Sequence, residues 1–288
     1  MNTAAPRLSI ADFRQCLAEV IAPGDQVVVI HSALWPFAHR FRMPSQILVG
    51  TLLDNILEVL GPNRTLVMPT YTLDFPKTGL FDLVHSRPST GALAEAMLWR
   101  PGMLRTPKPM NSYVVWGPHA TDIMALPNTT AWGKDSTMGF MERVDARYVM
   151  LGVPWYLGCS FYHLGEESMR VPYRYFKRFV GRLARGGMEL GLCEETMYSR
   201  SLDVVPQFRY EAPGALLRKD GLILECSHPG IPLESARASD ILRVLIRLLE
   251  EDPYAFIVNR REVERWVHCS KQEEIASLPP EQCPRNAS

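Results

Sequence analysis

Apolar residues fall along this chain in two kinds of run. Gln26-Val27-Val28-Val29-Ile30, Thr65 to Met68, Ser112 to Trp116 and Arg147 to Val153 are short, continuous and rich in β-branched or aromatic side chains. Such runs predict strands buried on both faces. Between them the apolar positions are spaced for helices, as at Phe13, Leu17, Val20 and Ile21, with further helices over 46–60, 90–99, 119–125 and 138–143. Pro23-Gly24-Asp25 and Gly61-Pro62 end the first two. Strands alternating with helices at these intervals predict an α/β fold, layered α/β/α, with a mixed, mostly parallel central sheet.

The pattern changes after about residue 175. Gly181 to Met197 is rich in glycine and charge and shows little periodicity. Leu222 to Cys226 and Tyr254 to Val258 predict short strands, Ser235 to Glu250 a strongly amphipathic helix, and Arg260 to His268 a last helix. A smaller C-terminal α+β portion follows from these. Leu73 to Arg87, with Pro76 and Gly79 inside it and Pro88 after it, predicts a loop or flap. We expect one domain over 1–270, with a motif-bearing part to about 175 and a C-terminal part over about 176–270. The polar stretch 271–288, with Pro279-Pro280, reads as a loose tail.

Composition narrows the function. Of 288 residues 47% are hydrophobic, enough for a substantial core. Lys plus Arg equals Asp plus Glu at 31 each, so no global field draws nucleic acid or an acidic membrane. No apolar run approaches the ~20 residues of a membrane span. Six scattered cysteines without a CxxC pair, and histidines without HxxxH or HExxH spacing, indicate no metal. Free thiols and an N-terminus without an export signal fit the cytoplasm. Neither GxxxxGK[ST] nor GxGxxG is present, which disfavours a nucleotide hydrolase or a dinucleotide enzyme.

The chemistry concentrates after the run ending at Val153. Cys159, Ser160, His163, Glu166 and Glu167 follow within fourteen residues. In a helical turn His163 and Glu166 share a face. A carboxylate beside an imidazole fixes its tautomer and supports the imidazolium, as a general base needs. The alternative is a surface histidine near two solvated acids. Ser32, Thr70, Thr72, Ser112 and Ser160 stand at strand ends, where a hydroxyl can donate to a developing oxyanion or cap a helix. Cys159 is four residues from His163 and reads either as a nucleophile or as a small buried residue. Glu167 is a solvated acid or a contact for an ammonium group.

Cys159-Ser160-Phe161-Tyr162-His163-Leu164-Gly165-Glu166, followed by Pro172-Tyr173-Arg174, resembles the aminoglycoside 3-N-acetyltransferase family. Other stretches match in order: His31-Ser32-Ala33-Leu34, Gly61-Pro62 with Thr65 to Thr72, Gly91 to Glu95, Pro109 to Ser112 with Trp116-Gly117-Pro118, and Gly133 to Gly139. The resemblance covers roughly residues 26 to 175. It implies an N-acetyltransferase using acetyl-CoA as co-substrate, with His163 as base, Glu166 as its partner and no metal. It places His31, Ser32, Ala33, Leu34, Ser112, Asp135 and Ser136 along the acetyl-CoA, and Tyr71, Asp74, Lys108 and Glu167 about a small-molecule amine acceptor. Ser160, Thr72 and Ser32 are the oxyanion candidates. At Lys108 family members often carry His, and a permanent cation there suits a neutral or anionic amine better than a polyamine. An amino sugar or other small amine of polysaccharide or secondary-metabolite biosynthesis is therefore an alternative acceptor. A catalytically silent binding protein on the same fold is the alternative of another class. A homodimer is left open.

Overall fold

The computed structural model describes residues 8–38, 40–41 and 43–277, the last seven as backbone only. In chain order the elements are α1 (Ile10–Val20), β1 (Val27–Ser32), α2 (Trp35–Ala38), α3 (Ser45–Leu60), β2 (Thr65–Pro69), α4 (Phe75–Thr78), β3 (Leu80–Asp82), α5 (Ala92–Leu98), β4 (Leu104–Arg105), β5 (Tyr113–Trp116) and α6 (Ala120–Met124). There follow α7 (Thr137–Arg143), β6 (Arg147–Leu151), α8 (Trp155–Gly158), α9 (Tyr162–Ser168), β7 (Arg174–Arg185), β8 (Met188–Arg200), α10 (Glu211–Lys219), β9 (Leu224–Glu225), β10 (Leu233–Arg237), α11 (Ala238–Glu251) and α12 (Arg260–Ser277).

Seven strands form the main sheet in the order β4-β5-β2-β1-β6-β10-β9. β1 is parallel to β2 and to β6, while β5 and β10 run antiparallel on either side of this centre. The continuous apolar runs are explained by two cores, one on each face. Val27, Val29, Val67, Tyr148 and Met150 point into the layer with α7, α9 and α11. Their alternates Val28, Ile30, Leu66, Met68, Val149 and Leu151 point into the layer with α1, α3 and α5. A strand buried on both sides has no polar face to alternate with, so its sequence is uniformly apolar. This is the layered, mixed α/β architecture expected.

Several local expectations are corrected. The weakly periodic stretch 181–197 is not irregular. It belongs to a hairpin of β7 and β8, which with β3 makes a second sheet in the order β3-β7-β8. Gly186 and Gly187, both at positive φ, form its two-residue turn. One face of this hairpin covers a small core of Phe75, Phe81, Leu83, Met110 and Cys193, and the other is exposed, so charge and apolar residues mix along it. The 73–87 flap contains α4 and β3. The start of the expected 235–250 helix is strand β10, which pairs with β6. Residues 254–258 carry no strand, only an isolated bridge between Phe208 and Ile257. α10 had no counterpart in the sequence reading, and α12 continues past His268 to Ser277. The rest of the expected tail and most of Met1–Ala11 lie outside the described residues.

The expectation of free thiols fails at Cys16 and Cys226, which form a disulfide across 210 residues of sequence. The fold brings the end of β9 back against α1, a proximity that sequence spacing cannot reveal. Cys159 and Cys193 are free and buried, Cys269 free and exposed. Among the described residues no helix is long and apolar enough to cross a membrane.

Candidate active site

The C-terminal ends of β1, β2 and β6 deliver their following residues to one side of the sheet, a usual place for ligand sites in α/β folds. The chain turns out of β6 at Gly152, whose φ is +71°. A Cβ there would lie 2.3 Å from the Ala33 carbonyl oxygen and 2.6 Å from the Phe37 ring. Glycine therefore lets the two strand ends close on each other, and the Ala33 N–H donates to Leu151 O at 2.8 Å. Beyond α8 the chain enters α9, which carries His163, Glu166 and Glu167. Gly165 of α9 packs closely on Leu245 of α11, so the helix is held against the core.

Glu166 is fully buried and its carboxylate is the hub of the site. Oε2 lies 2.9 Å from His163 Nδ1 and 2.9 Å from Arg174 Nη2. Oε1 accepts from Tyr173 OH at 3.0 Å and Tyr210 OH at 2.9 Å. Burial alone would raise this carboxyl, but the Arg174 charge and the donors on it hold it down to about 2. We assign the His163 proton to Nδ1, because the carboxylate contact is shorter than the 3.3 Å approach of Arg174 Nη2. Nε2 then carries the lone pair. Trp132 stacks on the ring at 4.5 Å between centroids, and 30% of the His163 side chain remains open. Burial lowers the His163 pKa; Arg174 adds to this and Glu166 partly opposes it. The ring is thus neutral and fixed, with one nitrogen free.

His163 opens into a cavity of about 540 Å³ that is also lined by Ser32, Ala33, Tyr71, Cys159, Ser160 and Tyr210. No Asp, Glu, Lys or Arg is among its described lining residues. Tyr156 and Leu157, both exposed, stand at its edge. A relay of hydroxyls enters it: Tyr71 OH lies 2.8 Å from Tyr113 OH and donates to Ser160 Oγ at 2.8 Å. Burial pushes the Tyr71 phenol up to about 12, so it stays a donor. Ser160 keeps its own hydrogen for the cavity.

The other residues singled out from sequence divide. His31, Ser32 and Ala33 line the cavity. His31 is buried, its Nε2 has no partner, and burial depresses its pKa to about 4. Leu34 packs beside the α1–α3 core instead. Thr72 and Ser112 are buried on the Arg105 guanidinium, at 2.9 and 3.1 Å, and do not line the cavity. Asp135 receives the N–H and hydroxyl of Thr129, and Ser136 caps α7 through Gly139 N. Asp74 precedes α4 on the exposed surface and Lys108 donates to Asn128 O at 3.0 Å; neither lines the cavity. Glu167 is buried, accepts from Thr130 Oγ1 at 2.6 Å and leaves Oε2 without a partner. Three members of the site were missed as functional residues. Arg174 and Tyr173 lay in a quoted motif without a role, and Tyr210, 44 residues beyond Glu166, gave no sequence signal.

Cys159 lines the cavity but burial raises its thiol pKa well above the ordinary value, which keeps it protonated. We expect Cys159→Ala to keep its rate within about threefold and intact-mass spectra to show no acyl adduct on the protein. A trapped acyl-Cys159 would overturn this.

A neutral, oriented imidazole and a serine hydroxyl thus line one uncharged cavity, groups that acyl transfer can use. The sequence pattern described as aminoglycoside 3-N-acetyltransferase matches residues 30–225, more than half of the chain, and the chain belongs to that family. Solved structures agree on the fold. Aminoglycoside acetyltransferase AAC(3)-IVa as apoenzyme is 21% identical with a TM-score of 0.68, covering 92% of this chain and 99% of that one. AAC-VIa with bound sisomicin is 19% identical at TM-score 0.70, covering 86% and 99%. AAC-IIIb in a binary complex with CoASH is 19% identical at 0.68, covering 85% and 97%.

Proposed function

We propose that this chain transfers the acetyl group of acetyl-CoA to an amino group of an aminoglycoside, at the 3-N position by family membership, with His163 as general base and Glu166 as its partner. The observation that carries this is the 2.9 Å contact between Nδ1 of His163, a ring that lines the cavity, and a buried carboxylate. His163 Nε2 takes the proton from the acceptor nitrogen as that nitrogen attacks the thioester carbonyl, and returns it to the departing thiolate. Ser160 donates to the carbonyl oxygen as it gains charge. An uncharged cavity walled by hydroxyls and short apolar side chains fits the pantetheine arm of the donor, and Ser32 and Ala33 would hold that arm. The CoASH complex of AAC-IIIb and the sisomicin complex of AAC-VIa support the same pair of substrates. Thiol-reagent detection of CoA release over a panel of amines tests the reading; no release with any aminoglycoside counts against the acceptor.

A specific observation favours a second reading, an amino sugar with few charges. A polycation needs free acids, yet no Asp or Glu is among the described residues lining the cavity, and the neighbouring Glu167 is buried with only Oε2 unpartnered. Glu166 is paired with Arg174. Asp82, in the second sheet, accepts from the N–H groups of Val84 and His85 after β3 and of Gly186 and Gly187 in the hairpin turn. Lys108 weighs on neither side, since its ammonium is turned to Asn128 O beside the buried Glu195. We expect Lys108→Met to change the KM for either class of acceptor by less than about twofold in steady-state kinetics. A tenfold fall for the polycation alone would place the ammonium at the acceptor.

A further inference from the structure

We propose that Cys16 and Cys226, once reduced, hold a zinc ion together with Glu19. Cys16 and Glu19 are three residues apart on α1 and so share one face of it. Cys226 follows β9, and its N–H donates to Leu233 O at 3.0 Å, which closes the β9–β10 hairpin against that face. The two sulfurs and a Glu19 carboxylate oxygen lie within 4.8 Å of one another. Both cysteines are buried, at 1% and 8% exposure. The carboxylate is already oriented: Oε2 accepts from Ser227 N at 2.8 Å, and Oε1 from Ser227 Oγ at 2.9 Å and Gln15 Nε2 at 3.0 Å. These donors fix the ligand, as the supporting shell of a metal site does, while Oε2, with a single donor, keeps a further lone pair.

Two thiolates and one carboxylate select zinc over magnesium or calcium, and leave one tetrahedral position for water. The balance is simple. A dithiol reductant takes the disulfide to two thiols and is itself oxidised to a disulfide. Zinc then displaces one proton from each thiol. The site is a feature of this chain outside the matched family stretch of 30–225, since Cys16, Glu19 and Cys226 all fall beyond it. It joins α1 to the β9 edge of the main sheet, in one redox state through a covalent bond and in the other through a metal.

The test uses the full chain and needs no activity. Reduced protein is equilibrated with zinc under exclusion of oxygen, desalted and assayed for metal; cobalt loading is followed by its thiolate charge-transfer absorption. Stoichiometric zinc is expected in the reduced wild type and none in the oxidised wild type. Cys226→Ser and Cys16→Ser should each lose the metal and the cobalt band, and Glu19→Ala should weaken binding by about tenfold or more. The comparison of the two redox states of wild-type protein stands even if a variant fails to fold. Reduced wild type without zinc, or equal zinc in Cys226→Ser, overturns the proposal.

Discussion

His163→Ala is expected to lower kcat by about a hundredfold to ten-thousandfold, the usual cost of losing a general base, with little change in fold or in acetyl-CoA binding. The fold should survive because Glu166 keeps Arg174, Tyr173 and Tyr210 when the imidazole is gone, so no buried charge is left alone. Circular dichroism and calorimetry with CoA check those two points, and single-turnover kinetics checks the rate. A variant that turned over like the wild type would remove the mechanism. The pH profile gives an independent reading. The base works when neutral, so kcat/KM rises with pH through the His163 pKa and then levels. Since burial and Arg174 lower that pKa, the acid limb should lie below the ordinary imidazole value of 6.5. The same direction bears on stability: the unfolded ring takes a proton more readily than the folded one, so this group destabilises the fold as pH drops below 6.5.

The centre of the fold was legible because burial on both faces writes itself into sequence. β1, β2, β5 and β6 read as uninterrupted apolar runs, and their ends pointed to His31-Ser32 and the stretch after Val153. The His163–Glu166 pair was legible because it is local, one helical turn apart. What sequence did not reveal is whatever depends on distant segments meeting. Arg174 enters from the first residue of β7 and Tyr210 from the start of α10, and both converge on one carboxylate. The β7–β8 hairpin was hidden because an exposed strand face carries the same charges as a loop, and Gly181 inside it reads as a break. In the structure that glycine makes room for the Phe75 ring, which a Cβ would approach to 2.6 Å. The strand-end hydroxyls divide for a related reason: sequence marks Thr72, Ser112 and Ser160 alike, but only the first two meet the buried Arg105 guanidinium.

Glu166→Gln should be the more damaging change for stability and the lesser one for rate. The amide can still satisfy its neighbours, with its oxygen toward His163 Nδ1 and Arg174 and its NH2 toward the two tyrosine hydroxyls. Hydrogen bonding is therefore not what fails. Charge is what fails: the Arg174 side chain is 5% exposed and Glu166 is its only carboxylate partner within salt-bridge reach among the described residues. Removing one member of a buried ion pair costs about 3–5 kcal/mol, because the other charge stays buried without compensation. In a chain of this size that corresponds to a fall in Tm of roughly 10 °C. Activity should fall as well, since His163 loses the carboxylate that raises its basicity and remains beside the guanidinium. The double variant Glu166→Gln with Arg174→Met separates the causes, because removing the stranded charge should recover most of the Tm and none of the rate. The wild-type advantage should also depend on pH. The carboxyl falls from 4.5 to about 2 on folding, so its contribution is present above about 4.5 and is lost as pH drops toward 2. Melting curves of wild type and Glu166→Gln should therefore converge over that window. A single variant that melts within about 2 °C of wild type at neutral pH would mean that Arg174 finds its compensation elsewhere.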